Sequence, residues 1–125
     1  LERDFDPVRA DMTLGDLVEV VAQSRRNIHP VLGPRGELVG IVPLEEIRGV
    51  MFDRTRYDAL RVRDLMVMPA ATLDLQEHMD SVMDKFDRTR AWNLPVVDSG
   101  RYAGFVSRSR LFGAYRAWLQ EVSED

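Results

Sequence analysis

The sequence predicts a mixed α+β fold made of two copies of one small unit, each reading lead-in strand, helix, strand, strand, helix. Three observations carry this prediction. Leu14, Leu17, Val18 and Val21 fall at i, i+3, i+4 and i+7, and Met79, Val82, Met83 and Phe86 repeat the pattern 65 positions later; each set is the apolar stripe of an amphipathic helix. At the same offset, Asn27 to Leu32 matches Trp92 to Val97 through the shared prolines Pro30 and Pro95, and both are short apolar runs of strand type. A second pair of strands, Leu38-Val39-Gly40-Ile41-Val42 and Tyr102-Ala103-Gly104-Phe105-Val106, follows at an offset of 64. The offset drops by one because the turn Asp98-Ser99-Gly100 is a residue shorter than Gly33-Pro34-Arg35-Gly36.

In chain order, a short extended segment such as Thr72-Leu73-Asp74 leads into the first helix, and the two strands are joined by glycine-containing hairpin loops. Leu44, Ile47 and Met51 begin a second helix in the first copy, with Pro43 suited to its first turn because the missing N–H is not needed there. Leu111, Tyr115, Trp118 and Val122 begin its counterpart. The mixed-charge stretch Asp53 to Arg63 reads as the linker. A core of about 60 residues is marginal without disulfides or metal. The two copies, residues 1–60 with linker and 61–125, are therefore expected to bury their sheet faces against each other as one folding unit.

With 125 residues, 45% hydrophobic and 30% charged, the chain has the composition of a globular domain, which excludes disorder and collagen-like structure. Its longest nearly unbroken apolar stretch, Leu65 to Leu73, is far short of the roughly 20 residues that span a bilayer. No cysteine is present, which removes disulfides, thiolate zinc sites and cysteine nucleophiles. A net charge of −4 argues against a nucleic-acid partner. The chain starts at Leu1 rather than Met and shows no signal peptide, so it reads as a processed product or a piece excised from something longer.

Ile28-His29-Pro30-Val31-Leu32, Leu38 to Val42 with Glu46-Ile47, Leu94-Pro95-Val96-Val97-Asp98 and Tyr102 to Ser107 with Leu111, entered by Val62-Arg63-Asp64-Leu65-Met66, together resemble a tandem pair of cystathionine-β-synthase-type (CBS) domains. The likeness covers nearly the whole chain and recurs twice in register. A narrower likeness, in Asp11 to Val18, Arg26-Asn27-Ile28, Ile47-Arg48, Met51-Phe52, Tyr57-Asp58 and the ending Tyr115 to Asp125, is to the cytoplasmic C-terminal tail of prokaryotic CLC-type chloride channels or exchangers. The resemblance implies two pseudo-twofold-related repeats, a flat dimer of pairs, an N-terminal transmembrane transport domain as partner in the parent chain, and ATP, ADP or AMP as the ligand.

In the family, a glycine and two apolar residues precede a Ser or Thr, with Asp or Asn three residues later. Glycine lets backbone approach the nucleotide, the hydroxyl and helix N-terminus suit phosphate, and the carboxylate accepts hydrogen bonds from ribose. The resemblance thus marks Gly40, Pro43, Glu46, Asn93, Gly104, Ser107 and Arg110 as the candidate nucleotide cleft, with Trp92 beside them. The motif is degenerate: Pro43 replaces the hydroxyl, Glu46 is one methylene longer than Asp, and Arg110 stands where the ribose-binding carboxylate belongs. Arginine cannot accept a hydrogen bond, although Arg108 or Arg110 could hold phosphate. Empty sites and an anionic ligand bound in a modified manner both remain open. Ser107 equally suits a helix N-cap, Glu46 and Arg110 suit solvated helix positions, and Trp92 suits a cap on the core.

No catalytic constellation is present in the sequence. His29 and His78 have no local metal or nucleophile partner, and Asp80, Asp84 and Asp87, with Lys85, Arg88 and Arg90 nearby, read as a hydrated helix face before a magnesium site. Arg25-Arg26 and Arg108 to Arg110 are too short for nucleic-acid patches but could mark an anion-binding edge. The last helix carries more aromatic and aliphatic residues than a small core requires, which makes it a candidate interface. The expected function is a non-catalytic regulatory module of a membrane chloride channel or transporter, on its cytoplasmic side. The alternatives are a structural dimerisation module with decayed sites, or the same module on a soluble enzyme or magnesium transporter.

Overall fold

The computed structural model describes residues 1–124, so the last residue of the tail likeness, Asp125, lies outside it. Two three-stranded sheets are present. In the first, β1 (Val8–Arg9) runs parallel to β2 (Ile28–Leu32), which pairs antiparallel with β3 (Leu38–Pro43). The second repeats this with β4 (Leu73–Asp74), β5 (Asn93–Asp98) and β6 (Arg101–Ser107). The register is the same in both, Val31 facing Gly40 and Val96 facing Gly104, and each hairpin carries an irregularity at the next residue.

Helices complete each unit: α1 (Leu14–Gln23) and α2 (Leu44–Ile47) in the first, α3 (Val62–Leu65) at the junction, and α4 (Met79–Thr89) and α5 (Arg108–Glu124) in the second. Thr13 starts α1 through a capping box, accepting from the Asp16 N–H at 3.1 Å while its own N–H donates to the Asp16 carboxylate at 3.2 Å. His78 gives α4 no such cap. Its start is instead organised by Glu77, whose carboxylate takes the Asp74 N–H at 2.9 Å, the Ser81 hydroxyl and the Lys85 ammonium at 2.9 Å.

One expectation is corrected. The second helix of the first repeat is a single turn, and Met51 lies in irregular turns beyond it. Gly49 stands just past the C-cap Arg48, at a cost of roughly 1 kcal/mol relative to Ala in a helix, and Asp53 already caps the next turn, a 3-10 helix at Arg54–Arg56, through the Thr55 N–H. The linker stretch is itself folded: Leu60 and Tyr57 carbonyls accept from the Leu14 and Gly15 N–H groups at 2.8 and 3.1 Å, and both side chains pack on the first core.

Each repeat has its own core, Leu14, Leu17, Val31, Val42 and Ile47 in the first and Leu73, Phe86, Leu94, Val96 and Leu111 in the second. A third cluster, Phe5, Ile41 and Phe105, lies between them. It forms because the repeats exchange lead-in segments. Val67 pairs with Ile41 on β3 through reciprocal bonds of 2.8 and 2.9 Å, and Glu2 pairs with Phe105 on β6 through bonds of 2.8 and 2.7 Å. The hairpin turns meet on the pseudo-twofold axis, where Leu38 donates to the Gly100 carbonyl and Tyr102 to the Gly36 carbonyl. Among the described residues no helix is long and apolar enough to cross a membrane.

Candidate functional site

The candidate residues fall into two groups, one along β3 into α2 and one along β6 into α5. In the first, Pro43 occupies the N-cap of α2 with no side-chain cap bond, and Glu46 is exposed on α2. In the second, Asn93 pairs across the hairpin with Ser107, and the Ser107 hydroxyl accepts the Arg110 N–H at 3.3 Å, which makes Ser107 the N-cap of α5. Arg110 is exposed.

The two glycines admit protein backbone. A Cβ on Gly40 would lie 3.2 Å from the Val67 carbonyl and 3.1 Å from the Met66 sulfur, and one on Gly104 would lie 2.7 Å from the Glu2 carbonyl. Gly104 also has φ +151°, a conformation side chains avoid. Glycine is thus required at Gly104 by the exchanged lead-in segment, and at Gly40 it gives the other segment its closest fit.

The second corner shows a further correction. Trp92 does not cap the core: it is 75% exposed, and only its carbonyl is engaged, by the Arg108 N–H at 2.8 Å. Asn27 and Leu44 make the matching bond in the first repeat at 2.7 Å. Arg108 turns inward, donating to the Phe86 carbonyl at the end of α4 at 2.6 Å and lying over the Phe112 ring. That engagement leaves Arg110 as the arginine of this corner turned to solvent.

A cavity of about 290 Å³ lies beside the first motif, lined by Asn27, Pro43, Leu44, Glu45 and Arg48. A more apolar groove of about 380 Å³ runs between α4 and α5, lined by Met79, Asp80, Ala114, Tyr115 and Trp118. Of the last helix, Leu111 is buried in its own core, whereas Trp118, Leu119 and Val122 are 54, 42 and 53% exposed. Among the described residues no group of three metal-ligating side chains is assembled, and Asp84 is paired with Arg88 at 2.8 Å.

Sequence reasoning passed over the N-terminal segment. Arg26 bonds Glu2 and Asp4, and its guanidinium lies 4.1 Å over the Phe5 ring, which stacks on Phe105 at 4.3 Å. The Arg26 hydrogen bond above all, and more weakly the charge of Arg110, hold the Asp4 carboxyl below the usual carboxylate range. Burial pushes the Tyr102 hydroxyl up to about 12, with its oxygen unpartnered. The available signal was Phe5 itself, an aromatic set between charged residues.

Fold and site together define a class: a module of two sheet-and-helix repeats that complete each other's edges and present one motif corner each. The chain belongs to the CBS domain family, whose model matches residues 2–53 and 62–117. It is similar to the CBS domain of a CBS domain-containing membrane protein from Sphaerobacter thermophilus, at 20% identity over 90% of this chain and 87% of that one, with TM-score 0.68. It also resembles CBSX2 in complex with AMP, at 22% identity over 94% and 89%, TM-score 0.72. A third likeness is to the CBS domain of a bacterial CNNM/CorC family Mg2+ transporter in complex with ATP, at 18% identity over 85% and 75%, TM-score 0.72. No curated protein sequence matches the chain.

Proposed function

We propose that this CBS pair is a non-catalytic regulatory module that binds an adenine nucleotide, associates with a second copy, and acts from the cytoplasmic side on a membrane chloride channel or transporter of which it is the C-terminal tail. The observation that carries the regulatory reading is the exchange of lead-in segments. Each sheet edge is completed by residues of the other repeat, Val67 on Ile41 and Glu2 on Phe105, so a ligand at either corner acts on both halves. Regulation then requires only that the ligand bind two arrangements of the halves with different affinity. The nucleotide reading is supported by the AMP and ATP complexes of similar folds, and the channel reading by the likeness of Asp11 to Val18 and Tyr115 to Ser123.

Titration with ATP, ADP and AMP, followed by melting temperature, tests it. Ligand at 100 times its dissociation constant should stabilise the fold by about 2.7 kcal/mol; no shift with any of the three removes the sensor. The full reading frame around the chain separates a channel parent, which predicts several apolar spans, from a soluble enzyme, which predicts none.

A second reading, a dimerisation module with decayed sites, is favoured by Pro43 and Arg110 in place of hydroxyl and carboxylate. Exposed Trp118 beside the α4–α5 groove is its natural contact. Sedimentation should show a dimer that Trp118→Ala weakens, and a monomer in both cases removes the association.

A further inference from the structure

The two lead-in segments make the same backbone pairing, yet their side chains differ completely. In the segment ahead of the second repeat, the positions matching Asp4 and Phe5 are Pro69 and Ala70, and Ala70 is exposed. Phe5 is 1% exposed. Its ring is held between the Phe105 ring at 4.3 Å and the Arg26 guanidinium at 4.1 Å, and the Asp4 carboxylate rests on Arg26. The matching residues on the other side, Ile41 and Ala91, provide neither an aromatic face nor a cation. His29, fully buried on β2, bonds the Phe5 carbonyl at 2.8 Å and the Asp6 carbonyl at 3.1 Å through Nδ1, where its counterpart is Leu94. Asp6 takes a left-handed φ of 50°, a conformation that costs a non-glycine residue energy and persists only when its surroundings impose it.

A planar ring clamped between an aromatic face and a guanidinium, next to a carboxylate on an arginine, is the footprint of an aromatic anion. We propose that the segment Leu1–Asp6 is an intramolecular occupant of the second corner, Phe5 standing for a planar base and Asp4 for an anionic group. The corner at Ser107 and Arg110 then accepts a free nucleotide only when the segment lifts, and the chain in its closed state takes ligand at the first corner alone. This rests on the nucleotide reading above and concerns how that site is regulated.

Calorimetric titration of the full chain with AMP tests it, with Phe5→Ala and the milder Asp4→Asn run beside the wild type, and with hydrogen exchange at the Glu2 and Phe105 amides as a second readout. The expected result is one AMP per wild-type chain with both amides still protected, and two per chain in Phe5→Ala. Asp4→Asn, which keeps the ring in place, should tighten the second site at least fivefold. Wild type and both variants alike at one AMP would overturn the proposal and leave the nucleotide reading standing. No binding to wild type with one AMP gained by the variants would overturn the reading at the first corner and support the proposal. No binding in any of the three would overturn both.

Discussion

The first and second repeats share their backbone register residue for residue, yet they solve the same local problems with different chemistry. Helix α1 begins with a capping box between Thr13 and Asp16, helix α4 with the ion-paired cluster around Glu77. Where Leu44 packs on the first core, the second repeat has Arg108 reaching the Phe86 carbonyl. Helix α2 is one turn and α5 runs for 17 residues. The comparison teaches that the fold asks for a hydrophobic pattern, a paired turn and a glycine at the exchanged edge, and leaves capping and surface free to diverge.

Substitutions at matched positions break this comparison most sharply at the centre. Phe105→Ala removes a fully buried ring stacked on Phe5 and should cost about 4 kcal/mol in urea unfolding, whereas Ile41→Val at the matching place should cost about 1 kcal/mol. Equal losses would show that the central cluster is symmetric in energy as well as in backbone. Gly104→Ala should come next, at about 3 kcal/mol, because its Cβ meets a carbonyl at an unfavourable φ. Gly40→Ala should cost about 1 kcal/mol, since the Met66 side chain can move aside.

A smaller effect distinguishes the helix starts by pH. Burial alone would raise Glu77, but the Ser81 hydroxyl, the Asp74 N–H and Lys85 outweigh it and bring the carboxyl down to about 2 from 4.5. A group depressed in the folded state stabilises above its unfolded pKa, and that stability is lost as pH falls through 4.5 towards 2. Glu77→Gln should therefore cost about 2 kcal/mol at pH 7 and almost nothing at pH 2 by denaturant unfolding. No replacement of Thr13 should show that pH profile. The smallest effect is expected for Arg108→Leu, which installs the first repeat's residue. The lost bond to Phe86 is offset by removing a buried, unpartnered Nε, so stability should shift by less than about 1 kcal/mol.

The repeat, the strand pairs and the helices α1 and α4 were legible because their periodicity is a local property of the chain. The short α2 was not, since Leu44, Ile47 and Met51 keep helical spacing while Gly49 and the Asp53 cap stop the helix. The candidate corners were legible only through family resemblance, and the sequence offered ligand access as the reason for Gly40 and Gly104. Their immediate structural reason, the carbonyls of Val67 and Glu2, depends on contacts between distant parts of the chain. The pairing of Phe5 with Arg26 escaped for the same cause: they are 21 positions apart, and Phe5 stands in a stretch with no periodic pattern.

The pairing of Glu2 with Phe105 also sets an order of events during synthesis. These partners stand on the order of 100 residues apart, and contacts of such separation close late. As these residues are made, Glu2 and Phe5 remain without their partners until the β5–β6 hairpin follows, and the central cluster cannot form before then. Strand β6 thus seats Phe5 late, and the ring stays open to water, or to whatever else can hold an aromatic ring, until that strand is made.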